Sequence, residues 1–239
     1  MQRDVALHSK GVGMTPIVLV HGIRVSGSMW LAQRALSGGT VVRAPDLPGH
    51  GTRRGERFTV AGAVEVIRAA IDEVGGRAVL VGHSLGGYLA IATAAAHPER
   101  VAELIPVGCT LRLTPALVRP YRWAAAALAG LPDGGLALTT RLARLVLGAG
   151  PGAAFTSGGV SHAAVPAVLD GLLGLDPLAD LRRYPGPVRL VNGARDHFRA
   201  DERLFLAACG NGRLDLVPGA GHLLPLTKPR ELAALITQP

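Results

Sequence analysis

The sequence has 239 residues, of which 49% are hydrophobic and 18% charged, so it is long enough for one α/β domain and is not intrinsically disordered. The net charge of +8 raises the question of nucleic-acid binding, but the arginines that carry it are spread along the chain without interleaved aromatic residues. We therefore expect a globular protein that binds no nucleic acid.

Hydrophobic spacing predicts alternating strands and helices in the first 109 residues. A short apolar run rich in β-branched residues predicts a buried strand, and apolar residues three to four apart predict a helix that faces the core. The predicted elements are the strands Ile17–Val20, Val41–Ala44, Ala78–Val81 and Val101–Val107 and the helices Ser28–Leu36, Thr59–Val74 and Leu85–Ala96. Strands that alternate with helices indicate a parallel sheet covered on both faces.

The alternation stops at Thr110 and returns after Asp180. The later elements are predicted as the helices Pro115–Ala129, Leu136–Leu147 and Ala164–Leu173, then the strands Val188–Val191 and Leu214–Val217 with the helices Asp201–Ala208 and Arg230–Ile236. We predict that residues 1–109 and 181–239 form one α/β core. Residues 110–180, called the lid segment below, are then a helical insertion over the carboxyl ends of the strands, where such sheets bind ligands.

The strongest chemical signal is the motif Gly82-His83-Ser84-Leu85-Gly86-Gly87, which has the pattern G-x-S-x-G. It follows a predicted strand and opens a predicted helix, so a sharp turn projects the Ser84 hydroxyl out of the sheet. Gly82 and Gly86 leave room for this turn, and the start of the helix places free N–H groups beside the hydroxyl. The motif therefore predicts a nucleophilic serine.

With this motif, the chain resembles the α/β-hydrolase fold family over nearly its whole length. Four further motifs match that family in the same order, namely an oxyanion loop at His21-Gly22, a D-x-x-G-x-G loop at Asp46-Leu47-Pro48-Gly49-His50-Gly51, an acid turn at Gly193-Ala194-Arg195-Asp196 and a histidine loop at Gly219-Ala220-Gly221-His222. The resemblance implies a mostly parallel central sheet flanked by helices, with an inserted helical lid. The usual two N-terminal antiparallel strands have room for one at most, at Val5–Leu7.

The resemblance also supplies the partners that a weakly nucleophilic serine needs. His222 is the expected base, because it follows Ser84 and Asp196 in the family's chain order. Asp196 is the expected acid, since the alternative position after the strand ending at Val107 carries no carboxylate. The other histidines are better explained by structural roles; in particular, we expect the side chain of His83 to point away from the site.

The oxyanion donors implied by the resemblance are the backbone N–H groups of Ile23 and Leu85. Substrate contacts are predicted at Arg24, Tyr121, Trp123 and His162. An arginine beside an oxyanion loop suits a carboxylate or carbonyl, although a surface arginine is the simpler explanation. We expect no metal and no organic cofactor in this chemistry.

Cellular context is indicated by three weak signals. Cys109 and Cys209 form no C-x-x-C or metal-binding spacing, and we expect both to be free thiols. Met1 to Lys10 lacks the apolar run of a secretory leader, and every long aliphatic stretch is interrupted by Arg, Gly or Pro. The sequence thus predicts a cytoplasmic protein that does not associate with membranes.

Taken together, these features predict a serine hydrolase that cleaves a small or medium carboxylic ester. Because only 4% of residues are aromatic, we expect aliphatic side chains in the lid segment and a small-molecule substrate with an apolar acyl or alkyl portion. Three alternatives remain open: a carbon–carbon bond hydrolase, a thioesterase or acyltransferase, and a non-catalytic ligand receptor on the same fold.

Overall fold

The fold is known from a computed structural model, which describes residues 14–237. Its strands are β1 (Ile17–Val20), β2 (Val42–Arg43), β3 (Ala78–His83), β4 (Val101–Val107), β5 (Val188–Gly193) and β6 (Gly212–Val217). Its helices are α1 (Leu31–Ala35), α2 (Val60–Glu73), α3 (Leu85–Ala96), α4 (Pro115–Ala129), α5 (Leu136–Leu147), α6 (Ala149–Thr156), α7 (Val165–Leu173), α8 (Pro177–Arg183), α9 (Glu202–Ala208), α10 (Leu224–Thr227) and α11 (Pro229–Thr237).

The described strands form one parallel sheet in the order β2-β1-β3-β4-β5-β6. Successive side chains of a strand point to opposite faces, and β1 shows the consequence. Val18 and Val20 enter one apolar cluster with α2 and α3, whereas Ile17 and Leu19 enter a second cluster with α10 and α11. The sheet is therefore buried on both sides, as predicted, and the carboxyl ends of its strands share one edge.

Short elements are where the sequence-based predictions differ from the structure. The strand predicted at Val41–Ala44 pairs only over Val42 and Arg43, because it lies at the sheet edge and Val41 is exposed. The helix predicted at Ser28–Leu36 begins as a 3₁₀ turn at Gly27–Trp30 before α1. Helices α6, α8 and α10 were not predicted, since their short sequences contain Pro and, in α6, Gly. The strand considered at Val5–Leu7 lies outside the described residues.

The lid segment contains α4, α5, α6, α7 and most of α8. Helices α4 and α7 form an apolar cluster of their own through Val118, Ala125, Val165 and Leu169, and the side chain of Ile23 packs against it. Helix α7 also reaches the main core through Val168 and Leu172. The proposed boundary after residue 180 falls inside α8, so the division into a core and a lid remains a prediction.

Candidate active site

Ser84 occupies a strained turn between β3 and α3. Its φ is 53° and its ψ is −115°, in a region that non-glycine residues rarely adopt. The backbone N–H of Ser84 donates to the carbonyl of Val107 at 2.9 Å, which ties the turn to the neighbouring strand β4. The serine is thus held at the carboxyl edge of the sheet, where the sequence placed it.

The turn requires glycine on both sides of the serine. A Cβ atom on Gly82 would overlap the backbone of Gly86, and one on Gly86 would overlap the carbonyl groups of Val20 and His21. Helix α3 can therefore start directly against β1 only because these side chains are absent. This close approach brings the chain after His21 next to the first turn of α3.

The three predicted catalytic side chains meet in a continuous line of hydrogen bonds. Nε2 of His222 lies 3.2 Å from Oγ of Ser84, and Nδ1 of His222 lies 3.0 Å from Oδ2 of Asp196. The carboxylate is almost fully buried, whereas the imidazole keeps 19% of its side-chain surface exposed. In this arrangement Nδ1–H donates to the carboxylate, and Nε2 is free to accept the hydroxyl proton.

Asp196 holds its orientation through two different contacts. While Oδ2 faces the imidazole, Oδ1 accepts a hydrogen bond of 2.8 Å from the backbone N–H of Phe198 and caps the short 3₁₀ turn His197–Arg199. Burial alone would raise the pKa of Asp196, but the hydrogen bond and charge of His222, together with the N–H of Phe198, lower it below its usual value. The acid therefore remains ionised at neutral pH.

The oxyanion loop is oriented by the buried side chain of His21. Leu47 donates its backbone N–H to Nε2 of His21 at 3.0 Å, so the ring hydrogen is on Nδ1, which donates to the carbonyl of Gly22 at 2.8 Å. Burial, reinforced by the neighbouring His50, lowers the pKa of His21 to about 3 and keeps the ring neutral. Because a trans peptide points its N–H opposite its carbonyl, the N–H of Ile23 faces away from His21.

Among the residues that the structure describes, the two predicted oxyanion donors have no competing acceptor. No hydrogen bond within residues 14–237 uses the N–H of Ile23, and Leu85 is the first residue of α3, whose N–H lacks a partner in the preceding turn. The loop of Ile23 packs beside that turn, as the missing Cβ of Gly86 requires. Both N–H groups are thus available to donate, and their role as oxyanion donors remains a prediction.

His83 lies against the site, contrary to the expectation that its side chain would point away. Its Nε2–H donates to the carbonyl of His222 at 2.8 Å, and the two rings lie 4.9 Å apart. Burial, together with the proximity of His222, lowers the pKa of His83 to about 3. The sequence reveals only that His83 precedes the serine, not that the last residue of β3 reaches the distant histidine loop.

The predicted substrate contacts are distributed unevenly. The Tyr121 hydroxyl lies 3.4 Å from Nε2 of His197, whose ring is 5.6 Å from that of His222. Trp123 is instead 64% exposed and stacks under the guanidinium of Arg119. Thus the structure brings Tyr121, but not Trp123, towards the candidate site.

Arg24 and His162 lie where the oxyanion loop meets the lid segment. The carbonyl of Arg24 accepts the backbone N–H of Ser161 at 2.9 Å. His162 is buried, with Nε2 at 2.9 Å from the Thr139 hydroxyl, and burial followed by the charge of Arg24 lowers the pKa of His162. Both residues are therefore close enough to interact electrostatically.

Two aromatic side chains next to the acid were missed as site residues. The Phe198 ring lies 4.4 Å from the His222 ring, and the His197 ring lies 4.2 Å from that of Phe198. They follow Asp196 directly in a tight turn, so their position in the sequence was the available signal. Together they form one wall beside the imidazole.

Residues 14–237 contain no group of three or more His, Cys, Asp or Glu side chains arranged to hold a metal ion. In the same range, no helix has both the length and the hydropathy needed to cross a bilayer.

Cys109 and Cys209 are both free, as expected. Burial raises the pKa of the Cys109 thiol well above its usual value, so this thiol beside Gly87 is unreactive.

This combination of a parallel sheet and a serine turn defines an α/β hydrolase, and the profile of the alpha/beta hydrolase family matches residues 17–235. The protein belongs to that family. The expected fold is thereby confirmed, together with the broad class of hydrolase.

Solved structures of similar fold include several kinds of hydrolase. A thermophilic esterase from Thermogutta terrifontis has a TM-score of 0.76 at 23% identity, covering 93% of this chain and 88% of that one. The thioesterase domain from the curacin biosynthetic pathway has a TM-score of 0.70 at 24% identity, covering 95% and 92%. E-2-(acetamidomethylene)succinate hydrolase has a TM-score of 0.76 at 20% identity, covering 93% and 90%. At these identities the likeness extends to the fold alone.

Proposed function

We propose that the protein is a serine hydrolase that cleaves a small or medium carboxylic ester through an acyl-enzyme. The observation that carries this proposal is the line of hydrogen bonds from Ser84 through His222 to Asp196, with distances of 3.2 and 3.0 Å. A serine hydroxyl needs such a base and acid to attack a carbonyl at neutral pH.

The proposed reaction has two steps. In the first, Oγ of Ser84 attacks the ester carbonyl and its proton passes to Nε2 of His222, which then gives it to the leaving alcohol. In the second, water donates a proton to Nε2 of His222 as its oxygen attacks the acyl carbon. His222 then returns that proton to Oγ of Ser84 as the bond between Oγ and the acyl carbon breaks and the carboxylic acid is released. The N–H groups of Ile23 and Leu85 stabilise the oxyanion in both steps, and losing one such donor costs about 10²–10³ in rate.

The substrate proposal is an uncharged ester bond next to an apolar chain. Aliphatic residues of the lid segment, such as Leu113 and Leu173, pack like Ile23 against the apolar cluster of α4 and α7 and offer such a chain an apolar surface. The matching structures include an esterase, a thioesterase domain and a hydrolase of a succinate derivative, so they favour hydrolysis without selecting the bond. A cytoplasmic location and the absence of a cofactor remain predictions.

The direct test is turnover of 4-nitrophenyl acetate and butyrate by the wild type and by Ser84→Ala. We expect the variant to lose at least about 10³-fold in kcat/KM, because the nucleophile is gone while the fold is kept. A fluorophosphonate probe should label the wild type and leave Ser84→Ala unlabelled. Substitution of Ser157, an exposed serine of the lid segment, provides the matched control and should leave both readouts unchanged.

The wild type and Ser84→Ala also distinguish the three alternative functions. Turnover of acyl thioesters at least tenfold faster than that of matched oxygen esters identifies a thioesterase, and cleavage of a vinylogous diketone without ester turnover identifies a carbon–carbon hydrolase. A ligand that binds without any Ser84-dependent turnover identifies a receptor. If neither labelling nor turnover depends on Ser84, the serine hydrolase proposal is wrong.

A further inference from the structure

Two residues share a positive φ, which residues with a side chain rarely adopt. Within residues 14–237, Arg24 (φ 72°) and Ser84 (φ 53°) are the only non-glycine residues with positive φ. Such strain persists only where the surrounding structure enforces it, and it concentrates at functional sites. At Ser84 the strain presents the proposed nucleophile, so the same feature one residue after Ile23 calls for a function of its own.

Within residues 14–237, the guanidinium of Arg24 forms no ion pair and no side-chain hydrogen bond, although its side chain is partly buried. A guanidinium stays charged in proteins, and removing it from water without a partner is unfavourable. Other arginines illustrate the usual solution, since Arg53 pairs with Glu56 and Arg122 pairs with Asp170.

Arg24 interacts with Ser161, Tyr121 and His162. Its carbonyl accepts the backbone N–H of Ser161, and its guanidinium interacts electrostatically with Tyr121 and His162, neither of which is a carboxylate. His162 is buried, and its Nδ1 has no hydrogen-bond partner within residues 14–237. One permanent cation and one unsatisfied buried imidazole nitrogen therefore lie in the same corner, between the oxyanion loop and the lid segment.

We propose that Arg24 binds a carboxylate of the substrate, so that the preferred substrate is an ester whose acyl chain ends in a carboxylate. This inference rests on the proposed ester hydrolysis and specifies its substrate class. Arg24 follows the predicted oxyanion donor Ile23 directly in sequence. It also interacts electrostatically with Tyr121, whose hydroxyl lies 3.4 Å from Nε2 of His197. These two relations are the reason for placing the bound carboxylate at Arg24. Its planar fork offers two parallel N–H donors to the two carboxylate oxygens.

The proposal is tested with two esters of equal acyl length, monoethyl succinate and ethyl butyrate, by measuring ethanol release. The wild type should show at least tenfold higher kcat/KM for monoethyl succinate, and this preference should shrink as salt concentration rises. Arg24→Gln should lower kcat/KM for monoethyl succinate by about 10- to 100-fold, the effect of losing a charged hydrogen bond, and change that for ethyl butyrate by less than about threefold. Arg24→Lys should fall between the two.

Arg34→Gln is the matched control, because it removes the same charge from an exposed position on α1. It should leave the preference between the two esters unchanged. Melting temperatures of all variants establish that they are folded. The wild-type preference and its salt dependence are measured without any variant, so they test the inference even if Arg24→Gln does not fold.

The outcomes distinguish this inference from the proposed function. Equal Ser84-dependent kcat/KM for the two esters overturns the carboxylate site and leaves the hydrolase intact, and so does an equal loss on both esters in Arg24→Gln. Calorimetric titration of monoethyl succinate into Ser84→Ala and into Ser84→Ala with Arg24→Gln measures binding independently of turnover. Equal affinity in these two proteins also overturns the inference, whereas at least tenfold weaker binding in the double variant supports it.

Discussion

The turn between β3 and α3 and the lid segment differ in how firmly they hold their side chains. Around the turn, His21, His83 and Asp196 are buried, and each makes a hydrogen bond that fixes its orientation. In the lid segment, by contrast, Trp123 is 64% exposed and Leu145 is 81% exposed. Reacting groups must be held within about 0.5 Å, whereas a surface side chain carries no such demand. The contrast shows that the candidate catalytic groups and their supports are held more firmly than the outer surface of the lid segment.

The largest effect is expected from a substitution of Asp196, one of the firmly held residues around the serine turn. Asp196→Asn should lower kcat for ester cleavage by about 10⁴-fold, because an amide in place of the carboxylate favours the wrong tautomer of His222. The asparagine oxygen still caps Phe198, so the melting temperature should change little. Steady-state turnover of 4-nitrophenyl butyrate measures the effect. Asp201→Asn removes an equal charge from a carboxylate that accepts the N–H of Arg112, and it should keep activity within about threefold.

A smaller expected effect is loss of stability in acid. The pKa of His21 and of His83 is about 3 in the folded protein, against about 6.5 when exposed, so below pH ~6.5 the unfolded chain binds two protons that the folded chain does not. The free energy of unfolding therefore decreases as the pH is lowered, by about 1.4 kcal/mol per histidine between pH ~7.5 and pH ~5.5. Urea unfolding at both pH values measures this loss. His83→Gln should remove about half of it, and a change below about 0.5 kcal/mol in the wild type contradicts the prediction.

The contact between His83 and His222 is expected to have a more moderate effect on activity. His83→Ala removes the N–H that holds the carbonyl of His222 and should lower kcat by about 10- to 30-fold, with KM nearly unchanged, because the base loses its alignment. His83→Gln retains an N–H donor and should recover part of that loss. Equal kcat values for His83→Ala and the wild type, both shown to be folded, would contradict the positioning role.

The smallest effect is expected on the outer surface of the lid segment. Leu145→Gln should change the free energy of unfolding by less than about 0.5 kcal/mol and activity by less than about twofold, since its side chain is exposed. Leu169, in the cluster between α4 and α7, is the matched buried position, and Leu169→Ala should cost about 2–3 kcal/mol. Similar losses for both variants would remove the distinction between the inner and outer faces of these helices.

The serine turn could be predicted from the sequence, whereas the contacts of the residues that support it could not. Ser84, Asp196 and His222 each follow a strand in a loop with glycine, and parallel strands bring such loops to one edge. The contact from His83 to His222 joins residues far apart in sequence, and no local pattern encodes it. The same holds for Tyr121 and His197, because the path of α4 across the sheet edge depends on helix packing rather than on spacing.

Tertiary packing explains why a helix formed where the sequence predicted a break. Helix α6 has the sequence AGPGAAFT, whose Gly and Pro residues predict a break, yet Phe155 and its neighbours are buried against α5 and the second apolar cluster. Tertiary packing here outweighs helix propensity. The edge strand β2 is shorter than predicted, since only Val42 and Arg43 pair with β1.

The two hydrogen bonds of the Asp196 carboxylate indicate which groups of the candidate site are fixed and which can rotate. Since Phe198 fixes one carboxylate oxygen, the acid is oriented by its own loop and does not depend on the imidazole for support. Ser84 is likewise anchored through its backbone to β4. In the proposed reaction, the proton moves between Oγ of Ser84, Nε2 of His222 and the leaving group, while Asp196 only accepts the hydrogen bond from Nδ1. The proposed reaction therefore calls only for small rotations of the His222 ring, with the backbone of the sheet edge in place.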